Sequence, residues 1–129
     1  MAKPFRIRDP VHNFVTLTDE EVGIIGTRIF QRLRGIRQLA LANLVYPGAL
    51  HTRFDHCIGV CHVAGMIAKH LRLTSDEERI VRLAALLHDL GHGPFSHVSE
   101  DALERYANRS RLGTEQRNEK IKELNNADL

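Results

Sequence analysis

The segment from Ile80 to Leu90 limits the folds open to this chain more than any other, because within it only Arg82, His88 and Asp89 are not apolar. A helix that is apolar almost all round is buried in a protein core. A buried Asp is rare unless it is paired, since an unpaired carboxylate in the core is destabilising. A metal ion resolves this conflict, because it pairs the carboxylate and takes neutral imidazole as a ligand. The sequence therefore predicts a buried helix that ends in a metal site.

A second histidine, His56, supports the same site from another predicted helix, over 53–72. It begins an apolar stripe at helical spacing, which comprises His56, Val60, Val63 and Ile67. An isolated histidine is more often a core residue with satisfied nitrogens, but this one accompanies four other site candidates: His88, Asp89, His92 and His97. We therefore predict metal binding by His56, His88 and Asp89. Imidazole with carboxylate suits a divalent transition metal (Mn, Fe, Ni or Zn) better than Ca²⁺, and Mg²⁺ is a further candidate.

Two more histidines, His92 and His97, follow in a turn rich in Gly and Pro. Histidines beside a metal can bind phosphate when charged, or move protons, whereas the alternative is a helix cap or a solvated loop. Arg53, three residues before His56, suits a phosphate at the mouth of such a site, although alone it would more often be a solvated arginine. We expect catalytic roles for His92, His97 and Asp89, and substrate binding by Arg53.

The remaining pattern predicts a mainly α-helical fold with a small N-terminal β-hairpin, in one domain over 1–129. Residues 1–18 alternate around an Asp-Pro turn and predict the hairpin; residues 19–107 predict a helical core. Capping boxes at Thr18–Glu21 and Ser75–Glu78 mark two helix starts. The first predicted helix begins at residue 19. Further helices are predicted over 27–42, 53–72, 75–90 and 95–107, and one near 114–125 within a polar tail over 108–129.

The amino-acid composition limits the cellular compartment and the partners that we expect for this chain. Cys57 and Cys61 are the only cysteines; they are expected to be small core residues, rather than a zinc cluster, in a reducing, cytoplasmic compartment. We expect no membrane partner, because no apolar run approaches a membrane span of ~20 residues and the N-terminus lacks the apolar stretch of a signal peptide. A formal net charge of +2 does not require nucleic acid. A local cluster on the predicted second helix leaves nucleic-acid binding open as an alternative: Arg28, Arg32, Arg34 and Arg37.

The motifs together resemble the HD-domain metal-dependent phosphohydrolases, and more closely their deoxynucleoside triphosphate triphosphohydrolase branch, which includes the vertebrate SAM-and-HD-domain enzyme. The similarity covers about residues 5–105. It rests on Asp9-Pro10-Val11-His12, the run from Phe30 to Leu39, Tyr46-Pro47-Gly48-Ala49, Arg53-Phe54-Asp55-His56 and the run from His88 to His97. The resemblance implies an HD-type helical fold.

The resemblance also implies roles. In that branch the counterparts of His56, His88 and Asp89 hold the metal together with a distant Asp. The counterparts of four other residues contact the substrate: His92 and His97 near the α-phosphate, Arg53 on phosphate, and Gln38 near the sugar 3′-hydroxyl. The implied reaction is attack of water on the α-phosphorus of a dNTP, releasing a deoxynucleoside and inorganic triphosphate.

The sequence departs from the branch in its length and in its fourth ligand. Asp128 is the only late Asp, but its surroundings do not match the family's fourth-ligand motif. Gly26 stands where the allosteric vertebrate enzyme has an acidic residue, so nucleotide activation is not expected. We expect a truncated or naturally short form of a longer family protein, whose open apolar surface favours a homo-oligomer. The alternative is a catalytically weak or inactive HD-fold protein that binds a nucleotide or a partner.

Overall fold

The computed structural model describes residues 4–95, 99 and 101–107. The chain divides into two units, 1–96 and 97–129, which we describe separately. In the second unit, residues 101–107 are helical, within the fifth helix predicted over 95–107. The predicted tail helix near 114–125 lies outside the described residues. Among the residues that the structure does describe, no helix has the length and apolar character needed to cross a membrane.

The first unit begins with the predicted hairpin. Strand β1 (Phe5–Asp9) pairs antiparallel with β2 (Asn13–Leu17), in a register that places Ile7 opposite Val15. Asp9 closes the turn, because its Oδ1 accepts hydrogen bonds from the backbone amides of residues 11 and 12, each at 2.8 Å. The alternation points Val15 and Leu17 into the core. Helix α1 (Asp19–Ile25) follows directly, and its predicted capping box between Thr18 and Glu21 is present.

The prediction of one helix over 27–42 is wrong. Helix α2 (Arg28–Gln31) tightens into a 3-10 turn over Arg32–Gly35 and then stops. Ile36 is extended, and Arg37 forms an isolated bridge with Thr52, so this backbone pairs with the approach to the next helix instead of continuing its own. The predicted apolar face fails accordingly, since Leu33 is buried whereas Ile29 is 62% exposed.

Helix α3 (Arg53–His70) has nearly the predicted bounds, but it buries a different face. Val63 and Ile67, which we predicted to be part of the buried stripe, are exposed. The buried face comprises Arg53, Phe54, Cys57, Ile58, Cys61, Gly65 and Ala68. Both cysteines are therefore small core residues, as predicted. Burial, the largest cause, raises the pKa of Cys57 to about 11 and that of Cys61 to about 12.

Helix α4 (Ser75–Leu87) packs against α3. Its cap is Thr74 with Glu77, one residue before the predicted box. The prediction that this helix is buried all round is wrong for the described residues, because Ile80 is 60% exposed and only Arg82 and Leu86 of the helix are buried. One face of α4 thus meets α3 and the opposite apolar face is open, while the helix end still reaches the core.

The core of the first unit lies between the hairpin, α1, α2 and the two long helices. It is one cluster of buried side chains: Val15, Leu17, Ile25, Phe30, Leu33, Ile36, Phe54, Cys57, Ile58, Cys61 and Leu86. Phe30 and Phe54 meet edge to face at the centre, with their ring centroids 5.5 Å apart. This contact fixes the short α2 against the first turn of α3, where two of the predicted site residues lie.

Candidate metal centre

The first turn of α3 and the end of α4 bring three predicted ligands together. His56 lies in that first turn, His88 is the C-terminal cap of α4, and Asp89 follows it. One ligand atom from each of the three lies within 4.8 Å of the other two, and this is the one such His, Cys, Asp or Glu cluster among the described residues. The Nε2 atoms of His56 and His88 are 3.2 Å apart.

Local hydrogen bonding orients His88 for ligation. Its Nδ1 lies 2.7 Å from the backbone carbonyl of Ala85, one turn earlier in α4. A carbonyl only accepts, so Nδ1 carries a proton and donates it; Nε2 is then the ring nitrogen that faces His56 and Asp89 and can bind a metal. Fixing one ring nitrogen in this way is how proteins orient metal-binding histidines.

Asp89 supplies the carboxylate of the cluster, and the other side chains surround it. The residue is 6% exposed, and its Oδ2 accepts a hydrogen bond from Arg53 Nη1 at 2.5 Å. Its Oδ1 lies 3.4 Å from Nε2 of His88 and 3.4 Å from Nε2 of His92, while Oδ2 lies 3.8 Å from Nε2 of His56. These histidine contacts are longer than hydrogen bonds, so the nitrogens surround the carboxylate without saturating it.

The electrostatics favour a neutral imidazole at His56. Burial lowers its pKa, Asp89 opposes this effect, and electrostatic interactions with His88, Arg53 and His51 lower the pKa further. A metal ligand must be the neutral imidazole, so this direction of shift suits ligation. Two imidazole Nε2 atoms and one carboxylate fit a divalent transition metal better than Ca²⁺, which takes oxygen ligands.

The other predicted site residues differ in whether they reach the candidate metal centre. Arg53 is 2% exposed and holds Asp89, so in this conformation its guanidinium belongs to the centre itself and not to a solvated mouth. His92 reaches the centre through Asp89. Gln38 is half-buried, and its backbone amide donates to the carbonyl of His51 near the start of α3. His97 and Asp128 lie outside the described residues.

Sequence reasoning missed two features of this region. The first is a cavity of about 560 Å³ that borders His56 and whose polar side includes Asp9, His12, His51 and Asp55. The motif Asp9-Pro10-Val11-His12 was a signal for it, because hairpin turns often carry site residues. The second is the contact of Arg32, which the sequence shows only as one of four arginines on the predicted second helix. Its guanidinium donates to the backbone carbonyls of Leu90 and His92.

Comparison with known proteins shows which family the part of the chain with the candidate metal centre resembles. A family model described as HD domain matches residues 53–128. The chain is 48% identical over 94 residues to an uncharacterized protein of Methanocaldococcus jannaschii, covering 73% of this chain and 20% of that protein. It is 43% identical over 99 residues to human deoxynucleoside triphosphate triphosphohydrolase SAMHD1, covering 71% of this chain and 16% of the human protein.

A solved structure is also similar to this chain, in both sequence and fold. A hypothetical protein from Aquifex aeolicus matches with a TM-score of 0.73 and 45% sequence identity, over 80% of this chain and 27% of that one. A homologue of SAMHD1 in Dictyostelium discoideum is 43% identical over 101 residues, covering 73% of this chain and 20% of that protein. The chain thus spans about a fifth of the length of the curated relatives that it matches. The residues matched by the family model include the first turn of α3 and the end of α4.

Proposed function

This chain belongs to the HD-domain family, and from that membership we propose that it is a metal-dependent phosphohydrolase. The observation that carries the proposal is the convergence of His56, His88 and Asp89, with one ligand atom of each within 4.8 Å of the others. A bound divalent metal supplies Lewis acidity and lowers the pKa of a bound water. The three proposed ligands are the same three that the sequence predicts.

We propose further that the substrate is a dNTP. Two relatives at 43% identity are named as a deoxynucleoside triphosphate triphosphohydrolase or as its homologue, which supports this substrate class. Water would attack the α-phosphorus, the bond to the 5′-oxygen would break, and inorganic triphosphate and a deoxynucleoside would be released. The 5′-oxygen must gain a proton as it leaves.

Each neighbouring side chain has an assigned task in this proposal. Arg53 holds the buried carboxylate of Asp89 in place, and a phosphate that enters the centre would meet the same guanidinium. His92, whose Nε2 lies 3.4 Å from Asp89 Oδ1, is assigned the task of holding a proton or donating it to the leaving oxygen. Gln38 is assigned to the sugar and His97 to the phosphate, both from the resemblance alone.

The test is turnover of each dNTP by the purified protein with Mn²⁺ or Fe²⁺. Products are separated by ion exchange, because triphosphate, pyrophosphate and orthophosphate distinguish cleavage at different phosphorus atoms. We expect triphosphate and deoxynucleoside in equal amounts, and no turnover in Asp89→Asn. The exposed His70, at the far end of α3, provides a matched control: His70→Ala keeps full activity.

A different product would contradict the dNTP assignment while leaving a phosphohydrolase. A second candidate function is an HD-fold protein that binds a nucleotide or a partner without turnover. The observation that favours it is that the cluster holds only three ligands among the described residues. Stoichiometric metal without turnover of any dNTP would select this candidate.

We also propose that the protein acts as a homo-oligomer in the cytoplasm. Many large apolar side chains between 39 and 50 are exposed: Leu39, Leu41, Leu44, Val45, Tyr46 and Leu50. Apolar patches of this kind are commonly covered by a partner. Light scattering of the purified protein tests this, and a monomer at high concentration would contradict it.

A further inference from the structure

Arg32 makes an unusual contact for a side chain on an exposed face. Its Nη1 donates to the backbone carbonyl of His92 at 3.0 Å, and its Nη2 donates to that of Leu90 at 2.6 Å. The two acceptors lie about sixty positions further along the chain and flank the short turn that follows α4. One guanidinium therefore joins the α2 region to the turn that carries the end of the candidate metal centre.

The carbonyls that Arg32 binds have a particular need for a donor. Leu90 and His92 lie beyond the end of α4 at Leu87, so no hydrogen bond of that helix satisfies their carbonyls. The turn itself has few bonds of its own: the amide of Leu90 donates to Leu87 at 3.0 Å, and the amide of His92 donates to Asp89 at 3.2 Å. The guanidinium adds two charge-assisted bonds to this turn.

The position of the turn decides where His92 points. Its Nε2 lies 3.4 Å from Asp89 Oδ1, so a shift of the His92 backbone would carry the imidazole away from the centre. The carbonyl of the same residue is one of those that Arg32 holds. A fixed carbonyl on one side and a fixed carboxylate on the other leave the imidazole little freedom to move.

The backbone that carries Arg32 is held by buried neighbours. Arg32 lies between Phe30 and Leu33, both 0% exposed, and Phe30 packs on Phe54 in the first turn of α3. That same turn carries His56. The contact of Arg32 therefore fixes the position of the turn after α4 relative to α3, the helix that supplies His56. A lysine would lack the planar fork that reaches both carbonyls at once.

We propose that Arg32 is a positioning residue, which clasps the Leu90–His92 turn and so holds His92 against Asp89. The clasp is a property of the folded chain; its effect on turnover rests on the proposed function. The two parts are tested separately, with Arg32→Gln, the conservative Arg32→Lys, and Arg28→Gln as a matched control. Arg28 is an exposed arginine of α2, four residues before Arg32, with no side-chain hydrogen bond among the described residues.

The first measurement is amide hydrogen exchange, which needs no substrate. In Arg32→Gln, exchange of a peptide over 88–95 should be about tenfold faster, the effect of losing a charge-assisted hydrogen bond. Exchange in α3 should stay as in the wild type, as should all exchange in Arg28→Gln. Unchanged exchange over 88–95, or an equal acceleration throughout the chain, would overturn the clasp even if the enzyme hydrolyses dNTPs.

The second measurement is steady-state turnover of the best dNTP. Arg32→Gln should lower kcat by about 10- to 100-fold, as misplacement of a reacting group does, with KM changed less than about twofold. Arg32→Lys should recover part of kcat, and Arg28→Gln should match the wild type. An unchanged kcat would overturn the positioning role. If the wild type itself has no turnover, the proposed function fails, and the exchange result still decides the clasp.

Discussion

Two carboxylates of this protein are buried beside an arginine, and they differ in what else surrounds them. Glu21 accepts hydrogen bonds from Arg82 with both oxygens, at 2.7 and 2.8 Å, and it also accepts from the Thr18 amide at 2.8 Å. Asp89 accepts from Arg53 at one oxygen, while the Nε2 atoms of three histidines stand 3.4 to 3.8 Å away.

The difference separates a structural tie from a candidate binding site. The oxygens of Glu21 are satisfied by fixed donors from neighbouring elements, so the group joins the hairpin, α1 and α4 and needs nothing more. Asp89 is partly satisfied and is ringed by imidazoles that, when neutral, offer lone pairs. Such a group gains most from an added cation. Burial and an arginine partner alone therefore do not distinguish the two roles.

The largest expected effect is on stability at the structural tie. Glu21→Ala leaves Arg82 buried without its carboxylate, which should lower the free energy of unfolding by about 3–5 kcal/mol. Glu21→Gln, which keeps the shape and some of the hydrogen bonds, should cost less. Urea unfolding followed by circular dichroism measures both. A loss below about 1 kcal/mol, the usual value of an exposed pair, would contradict the structural role of this carboxylate.

Acid should remove part of this stabilisation. Burial works to raise the pKa of Glu21, but the hydrogen bonds from Arg82 and the Thr18 amide outweigh it, so the pKa is lowered on folding. A group with a lowered pKa stabilises the fold above its unfolded value of ~4.3 and loses this contribution as the pH falls through the folded value.

The gap between wild type and Glu21→Gln in free energy of unfolding should therefore be constant near neutral pH and shrink below about pH 4. Urea titrations at neutral and acid pH measure it. A gap that stays the same in acid would show that the charge of Glu21 does not contribute.

A smaller effect is expected where α3 makes room for Arg82. A Cβ added at Gly65 would overlap Arg82 Nη1 and would lie 3.3 Å from its Cδ. The guanidinium is held by Glu21 and cannot swing away freely, so Gly65→Ala should cost about 1–3 kcal/mol. Gly59 in the same helix is the matched control, since its Cβ would make ordinary contact with His12 at 3.7 Å.

We expect Gly59→Ala to be neutral or stabilising, because alanine favours helix. Both variants are compared by thermal unfolding. Equal effects at the two positions would mean that the packing of Arg82 against α3 does not restrict residue 65.

The smallest effect concerns the neighbouring exposed pair. Glu20 accepts from Arg79 with the same two-bond geometry, each bond at 2.7 Å, but both side chains are exposed. Exposed pairs are screened by water and salt and contribute little. Glu20→Gln should leave the urea midpoint unchanged at physiological salt. A shift comparable with that of Glu21→Gln would contradict the role assigned to burial.

Local signals in the sequence predicted the fold well where they were strong. The alternation before Thr18 predicted the hairpin, and the capping box at Thr18 predicted the start of α1. The helix over 27–42 was wrong because Ile36 and Arg37 pair with the backbone near Thr52, a contact distant in sequence. The buried faces of α3 and α4 were wrong because periodicity shows an apolar side without showing which side is covered.

The candidate ligands were predictable because a His-Asp pair at the end of an apolar helix conflicts with simple burial. The bond between Arg53 and Asp89 was not, since it joins the first turn of α3 to the end of α4. The clasp by Arg32 was hidden for the same reason: in the sequence this residue is one of four arginines on a predicted helix, and its backbone acceptors carry no sequence signal.

Metal binding at His56, His88 and Asp89 underlies the proposed phosphohydrolase activity of this chain, and titration calorimetry measures it without a substrate. Mn²⁺ and Zn²⁺ are titrated into chelator-treated wild type, His88→Ala, Asp89→Asn and the control His70→Ala, with circular dichroism confirming that each is folded. We predict saturable binding of a single ion per chain in the wild type and in His70→Ala, and its loss in the two ligand variants. Unchanged binding in His88→Ala and Asp89→Asn, or none in the wild type, would contradict a metal centre at these residues.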